Sequence, residues 1–250
     1  MEYGICHLGI LPVRNENRHA GELVTQLIYG DAYKILETQK KWVRIRVADD
    51  GYEGWLHALQ VHKISKSEFE TYQKLPNHFT SDLVNYLTNK EGLLFPIPIG
   101  SNLKANTLLE HQFEDQQKKA APQKDDLVKT AYLYLNTPYL WGGKTPFGID
   151  CSGLVQMVYK INGRQLLRDA SEQATQGTTL SFIEESAQGD LAFFDNKEGD
   201  IIHVGMLLEN HHIIHAHGHV RIDRIDQTGI YNAEQQTHSH KLRLIKNIWD

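Results

Sequence analysis

Two cysteines in 250 residues, Cys6 and Cys151, are too few for a disulfide framework or a four-thiolate metal site, although one disulfide between them stays open. No run approaches the roughly 20 apolar residues that cross a bilayer as a helix. Long basic stretches are missing too. With 26 Lys and Arg against 31 Asp and Glu, the formal charge of −5 argues against nucleic acid or an anionic membrane as the main partner. The first residues lack the marks of a secretory signal, because Glu2 stands where Lys or Arg belongs and Gly4, His7 and Gly9 interrupt a short apolar stretch. As written, the chain is expected in the cytoplasm. No internal repeat is evident.

What is present supports a folded protein. Hydrophobic residues make up 40% and charged residues 23%, and the length suits one catalytic domain with one or two small modules. Residues 8–61 read as short strands: apolar and polar residues alternate around Leu23–Ile28, and Tyr33, Ile35, Trp42, Val43, Ile45 and Val47 supply more. Asp49-Asp50-Gly51-Tyr52 is a hairpin signal. This spacing predicts a small β-barrel. Residues 67–75 suit a short helix, 93–100 an edge strand limited by its prolines, and 116–124 a polar linker.

After Lys124 the period changes. Asp125 or Asp126 is placed to cap a helix that carries Leu127, Ala131 and Tyr134 or Leu135 on one face and ends before Pro138. A Gly- and Pro-rich loop, 139–150, leads into a second helix from Cys151 to a stop at Gly163. A short helix over 169–176 precedes strands at 191–194, 203–208, 212–215, 220–222 and 242–248. Helices followed by an antiparallel sheet make this part an α+β domain.

Cys151 lies where the loop becomes the helix. Unpaired N–H groups and the positive dipole end there would lower its thiol pKa, and the same N–H groups suit an oxyanion. Ser152 and Gly153 keep the turn open around the sulfur. The alternative is a small buried core cysteine. Two histidines qualify as a base: His203 in an apolar strand, and His215 at the end of the next. Adjacent antiparallel strands bring such residues side by side, one facing the thiol and the other orienting it.

The stretch Thr137-Pro138-Tyr139-Leu140-Trp141-Gly142-Gly143, then Gly148-Ile149-Asp150-Cys151-Ser152-Gly153-Leu154-Val155, resembles the NlpC-type family of papain-like cysteine peptidases acting on bacterial cell-wall peptides. Gly189-Asp190-Leu191 with His203-Val204-Gly205, and Ile213-Ile214-His215-Ala216, resemble its later motifs. Gly21-Glu22-Leu23-Val24-Thr25-Gln26 and Asp50-Gly51-Tyr52-Glu53-Gly54-Trp55 look like the bacterial SH3-like module of a narrower subgroup, the γ-D-glutamyl-L-diamino acid endopeptidases or dipeptidyl-peptidase VI enzymes.

The resemblance implies an SH3-like barrel over 1–62, a second, degenerate SH3-like module with a linker over 63–120, and a papain-like peptidase domain over 121–250. It implies Cys151 as nucleophile, His203 as base and His215 as its orienting partner. The implied substrate is a peptidoglycan stem peptide with a free N-terminal L-Ala, cut after γ-D-Glu. Tyr139 matches a tyrosine near the oxyanion and substrate. Asp169 matches the carboxylate that meets the free amine, with Ala170 where relatives can carry serine. Glu22 and Tyr52 are implied to close the pocket, Trp141 to wall it, and Ser152 to contact substrate. No cofactor or metal is required.

Two other readings compete. His211, His212, His215, His217 and His219 cluster, and the last three alternate as zinc ligands on one strand face would. A non-catalytic murein-binding protein, or an amidase or acyltransferase on the same fold, would also use these motifs.

Overall fold

The computed structural model describes residues 2–114 and 123–249, and the chain divides into two units. The first comprises Met1–Ala120 with Trp141–Pro146, the second Ala121–Leu140 with Phe147–Asp250. The linker expected over 116–124 lies, through residue 122, outside the described residues.

In the first unit, seven strands, β1 (Glu2–Ile5), β2 (Ile10–Arg14), β3 (Leu23–Ile28), β4 (Ala32–Gln39), β5 (Trp42–Val47), β6 (Glu53–His57) and β7 (His62–Ile64), form an antiparallel sheet. Their order is β3-β2-β6-β5-β4-β1-β7. Alternation sets the faces: Val43, Ile45 and Val47 are buried while Arg44 and Arg46 are exposed. Leu27 on β3 and Tyr33 on β4 share one cluster with Leu11, Ile45 and Leu56 although three strands separate β3 from β4 in that order, so the sheet curls around its core as a small barrel.

Residues 63–114 differ from the expected second barrel. They supply α1 (Lys66–Lys74), β8 (Val84–Thr88), β9 (Leu94–Pro98) and α2 (Asn106–Leu109), with β8 and β9 as a two-stranded sheet. Ser65 and Glu68 form a reciprocal capping box at the start of α1. Phe69, Tyr72, Leu87 and Ile97 pack in one cluster with Tyr3, Ile5 and Tyr29, so this segment completes the barrel's second core. A short strand, β10 (Lys144–Thr145), also belongs to this unit.

The second unit holds α3 (Asp125–Leu133), β11 (Gly148–Ile149), α4 (Cys151–Ile161) and α5 (Ala170–Gln173). Lys124, not an aspartate, stands at the N-cap of α3. Asp125 and Asp126 fall in its first turn, where their charge favours the dipole, and Asp126 accepts the Gln123 N–H at 3.2 Å. Every residue of α4 is buried, and Gly163 beyond it takes a φ of 80°.

Seven strands follow: β12 (Thr178–Leu180), β13 (Leu191–Asp195), β14 (Ile201–Leu208), β15 (His212–His217), β16 (His219–Ile225), β17 (Gly229–Asn232) and β18 (Thr237–Asn247). All pairings are antiparallel. The long β18 pairs with β17 through its first half and with β12 through its last residues, while β13 pairs along its other edge. Strands β13 to β18 therefore close into a ring. Phe194, Leu207, Ile213, Ile225, Ile230 and Ile245 fill its inner face.

Candidate active site

Asp150 caps α4, its carboxylate accepting the Gly153 N–H at 2.6 Å, and this fixes Cys151 at the first helical position. The sulfur accepts the backbone N–H groups of Ser152 and Val204. The second bond follows from the sheet register. Pairing between β14 and β15 begins only at Gly205 opposite His215, so upstream of Gly205 that edge of β14 has no ladder partner and the Val204 N–H serves the sulfur. Val204 follows His203 directly, which sets the nucleophile against the strand that carries the base.

His203 lies third in β14 rather than opening it. Alternation puts His203, Gly205 and Leu207 on the inner face of the ring, with Ile213, His215, Arg221 and Asp223 opposite them. His203 Nε2 is 2.8 Å from His215 Nδ1, and His215 Nε2 is 3.0 Å from Asp223 Oδ2. Gly205 makes this approach possible. A Cβ there would lie 2.7 Å from Ile213 Cδ1 and 2.9 Å from His215 Cβ, inside contact distance. Arg221 meets Asp223 through Nε at 2.8 Å and a terminal nitrogen at 3.0 Å. His240, on β18, stacks on His203 with ring centroids 4.1 Å apart.

The electrostatics depart from expectation in one respect. The thiol was expected below its ordinary range, but burial and then the neighbouring Asp150 carboxylate push it up to about 12, outweighing the Val204 and Ser152 N–H groups and Arg168. Burial, followed by repulsion from His215, His240 and His217, holds His203 well below an ordinary imidazole. Burial, followed by repulsion from His215 and His217, takes His240 down to about 4. At rest the thiol and the imidazole are therefore both neutral. Asp223 differs: burial opposes its charge, but hydrogen bonds from His215 and Arg221 outweigh burial and keep the carboxyl below its usual range.

Residues 136–239 match the NlpC/P60 family, and residues 13–60 match the bacterial dipeptidyl-peptidase Sh3 domain. The chain carries an NlpC/P60 cysteine peptidase domain. It is 29% identical over 218 residues to the gamma-D-glutamyl-L-lysine dipeptidyl-peptidase of Bacillus subtilis (strain 168), spanning 77% of this chain and 71% of that protein. To Dipeptidyl-peptidase 6 of Lysinibacillus sphaericus it is 29% identical over 236 residues, 78% of this chain and 80% of the relative. An NlpC/P60 family protein from Bacillus cereus ATCC 10987 superposes with a TM-score of 0.80 over 99% of this chain and 100% of that one; at 18% identity the likeness concerns the fold.

The remaining sequence candidates divide by unit. Tyr139 is half-buried and hydrogen-bonded through its N–H to the Gly218 carbonyl. Burial and then the Cys151 charge push its phenol above the ordinary range, which makes it a neighbour of the nucleophile. Asp169, half-buried, begins α5, and its N–H reaches Glu172 at 3.4 Å. Ala170 behind it is buried. The Ser152 hydroxyl is turned inward, 3.3 Å from Asp150 and accepting from Arg168 at 2.8 Å.

Glu22, Tyr52 and Trp141 belong to the first unit. Glu22 is exposed and accepts from Asn15 at 3.2 Å, Tyr52 packs partly against the barrel core, and Trp141 is 59% exposed. The competing zinc reading needs His215, His217 and His219 on one face of one strand, and they do not lie there. The chain turns at Gly218, with a φ of 73°, so His219 lies on β16 opposite His217. No group of three or more His, Cys, Asp or Glu side chains among the described residues is arranged to hold a metal ion.

Three participants were missed from sequence. Arg168 is 1% exposed and grips Asp150 at 2.6 and 3.0 Å. The other two are Asp223 and His240. A buried-strand pattern around Asp223, Val220-Arg221-Ile222-Asp223, was the available signal for the second. Nothing local marks the third, which reaches His203 only through closure of the ring.

Proposed function

We propose that this peptidase hydrolyses the bond between γ-D-Glu and the diamino acid in peptidoglycan stem peptides with a free N-terminal L-Ala, releasing L-Ala-γ-D-Glu. The observation that carries the chemistry is the buried Cys151 sulfur on the N–H of Val204, the residue after His203, whose Nε2 lies 2.8 Å from His215 Nδ1. The substrate class rests on resemblance along most of the chain to relatives named gamma-D-glutamyl-L-lysine dipeptidyl-peptidase.

His203, neutral at rest, takes the thiol proton as the sulfur attacks the γ-carbonyl of D-Glu. A thiol pushed up to about 12 gives up its proton in step with attack rather than beforehand. The Cys151 N–H, at the first helical position, and the Tyr139 hydroxyl have no hydrogen-bond partner among the described residues, and both suit the oxyanion of the tetrahedral intermediate. The intermediate collapses to a thioester, and protonated His203 delivers its proton to the departing amine. Water, deprotonated by the same imidazole, then releases the dipeptide and restores the thiol.

Asp169 meets the ammonium of L-Ala in this reading. A capped amine removes that ion pair and leaves the half-buried carboxylate facing an uncharged amide. Hydrolysis of L-Ala-γ-D-Glu-L-Lys is compared with its N-acetyl form. A fall in kcat/KM of about a hundredfold or more on acetylation supports the reading, using the loss expected when a site's polar group goes unpaired. Equal rates would remove the free-amine requirement.

A further inference from the structure

Two imidazoles in series leave a choice open. The single proton between His203 Nε2 and His215 Nδ1 can belong to either ring. If it sits on His203 Nε2, then His203 Nδ1 carries a lone pair and can take the thiol proton. If it sits on His215 Nδ1, neutral His203 is protonated at Nδ1 and is no base there. Among the described residues Nδ1 of His203 has no hydrogen-bond partner, so nothing on that side fixes the choice.

The far side of His215 fixes it. Asp223 Oδ2 is 3.0 Å from His215 Nε2, and the guanidinium of Arg221 lies on the same carboxylate, at 2.8 Å from Oδ2 and 3.0 Å from Oδ1. A carboxylate held ionised in this way can only accept. His215 therefore carries its proton on Nε2, offers the Nδ1 lone pair to His203, and forces the His203 proton onto Nε2. Both rings are almost fully enclosed, with His215 at 0% and His203 at 5% exposure, so water cannot substitute for the carboxylate.

We propose that Asp223, held ionised by Arg221, is a positioning residue that selects the tautomer in which His203 can act as a base. The proposal builds on the role given above to His203, but not on the identity of the peptide that is cut.

The test uses the full chain and three readouts. Long-range proton–nitrogen correlation spectra of ¹⁵N-histidine-labelled protein report each tautomer. Alkylation of Cys151 by iodoacetamide at neutral pH reports thiol activation without any substrate, with Cys151→Ala as the control for Cys6. Hydrolysis of the stem peptide reports kcat and KM separately. In wild type, His203 and His215 should both carry Nε2–H.

In Asp223→Ala, His203 should become a mixture of tautomers, with alkylation and kcat falling together by about tenfold or more and KM little changed. Asp223→Glu, which restores an acceptor, should recover part of the loss. Should the alanine variant fail to fold, Asp223→Asn preserves the shape. Arg221 donates through a terminal nitrogen to Oδ1, so an amide that keeps this bond turns its NH2 toward His215 Nε2, which drives the His215 proton to Nδ1, and the same loss of the base tautomer and of alkylation is expected. An unchanged His203 tautomer, or alkylation within twofold of wild type in whichever of these two variants folds, would overturn the proposal. If wild type leaves the stem peptide intact while alkylation and tautomers behave as stated, the substrate assignment fails and Asp223 keeps its role.

Discussion

Replacing Arg168 with methionine tests whether the buried pair beneath Cys151 holds the nucleophile in place. Arg168 is 1% exposed and its guanidinium bonds both oxygens of Asp150, at 2.6 and 3.0 Å, and the Ser152 hydroxyl at 2.8 Å. Methionine fills much of the aliphatic volume but strands a buried carboxylate. Loss of one partner of a buried pair costs about 3–5 kcal/mol. The Gly153 N–H still serves Asp150, which argues for the lower end.

At roughly 2–4 °C per kcal/mol for a chain of this size, the melting temperature should fall by about 6–20 °C. The double variant Asp150→Asn with Arg168→Met keeps a helix cap and buries no charge, so it should recover more than about 1 kcal/mol relative to the sum of the single changes. Urea and thermal unfolding followed by circular dichroism measure both. An Arg168→Met protein within about 0.5 kcal/mol of wild type, the range of ordinary surface changes, would refute the reasoning, as would strict additivity in the double variant.

The pH dependence follows from the neutral resting pair. With His203 held well below 6.5 and Cys151 raised to about 12, the acid limb of kcat/KM should fall below pH 6.5, with no basic limb from the thiol near neutrality; an acid limb at or above 6.5 would contradict this. Stability has the same direction. His203, His215 and His240 all bind protons more weakly folded than unfolded, so the unfolded chain takes up more protons and stability should decline as pH falls below 6.5 toward 4. Denaturant titrations at successive pH values check it. Gly205→Ala should cost about 1–3 kcal/mol of overpacking and lower kcat more than it raises KM, because the added Cβ meets Ile213 and His215; a kcat equal to wild type would show that the sheet yields without moving the imidazole.

Much of the catalytic unit was legible because its signals are local. Asp150 before Cys151 marks a helix start, and His203 and His215 sit in apolar strands. What escaped was long-range. The first half of β18, Thr237-His238-Ser239-His240-Lys241, has no apolar alternation, so neither ring closure nor the stacking of His240 on His203 could be read. The thiol pKa was misjudged for a related reason: the helix start was visible, but the depth of burial was not. The degenerate SH3-like module over 63–120 came from the resemblance, whereas the residues themselves gave only a helix at 67–75 and an edge strand at 93–100; the core that residues 63–114 share with Tyr3 and Tyr29 is a tertiary fact.

The central claim is tested most directly by mass spectrometry of L-Ala-γ-D-Glu-L-Lys and its diaminopimelate counterpart after incubation with wild type and with Cys151→Ala. The account predicts L-Ala-γ-D-Glu from at least one peptide with wild type alone. Intact peptides with both proteins, or the dipeptide with both, would contradict it.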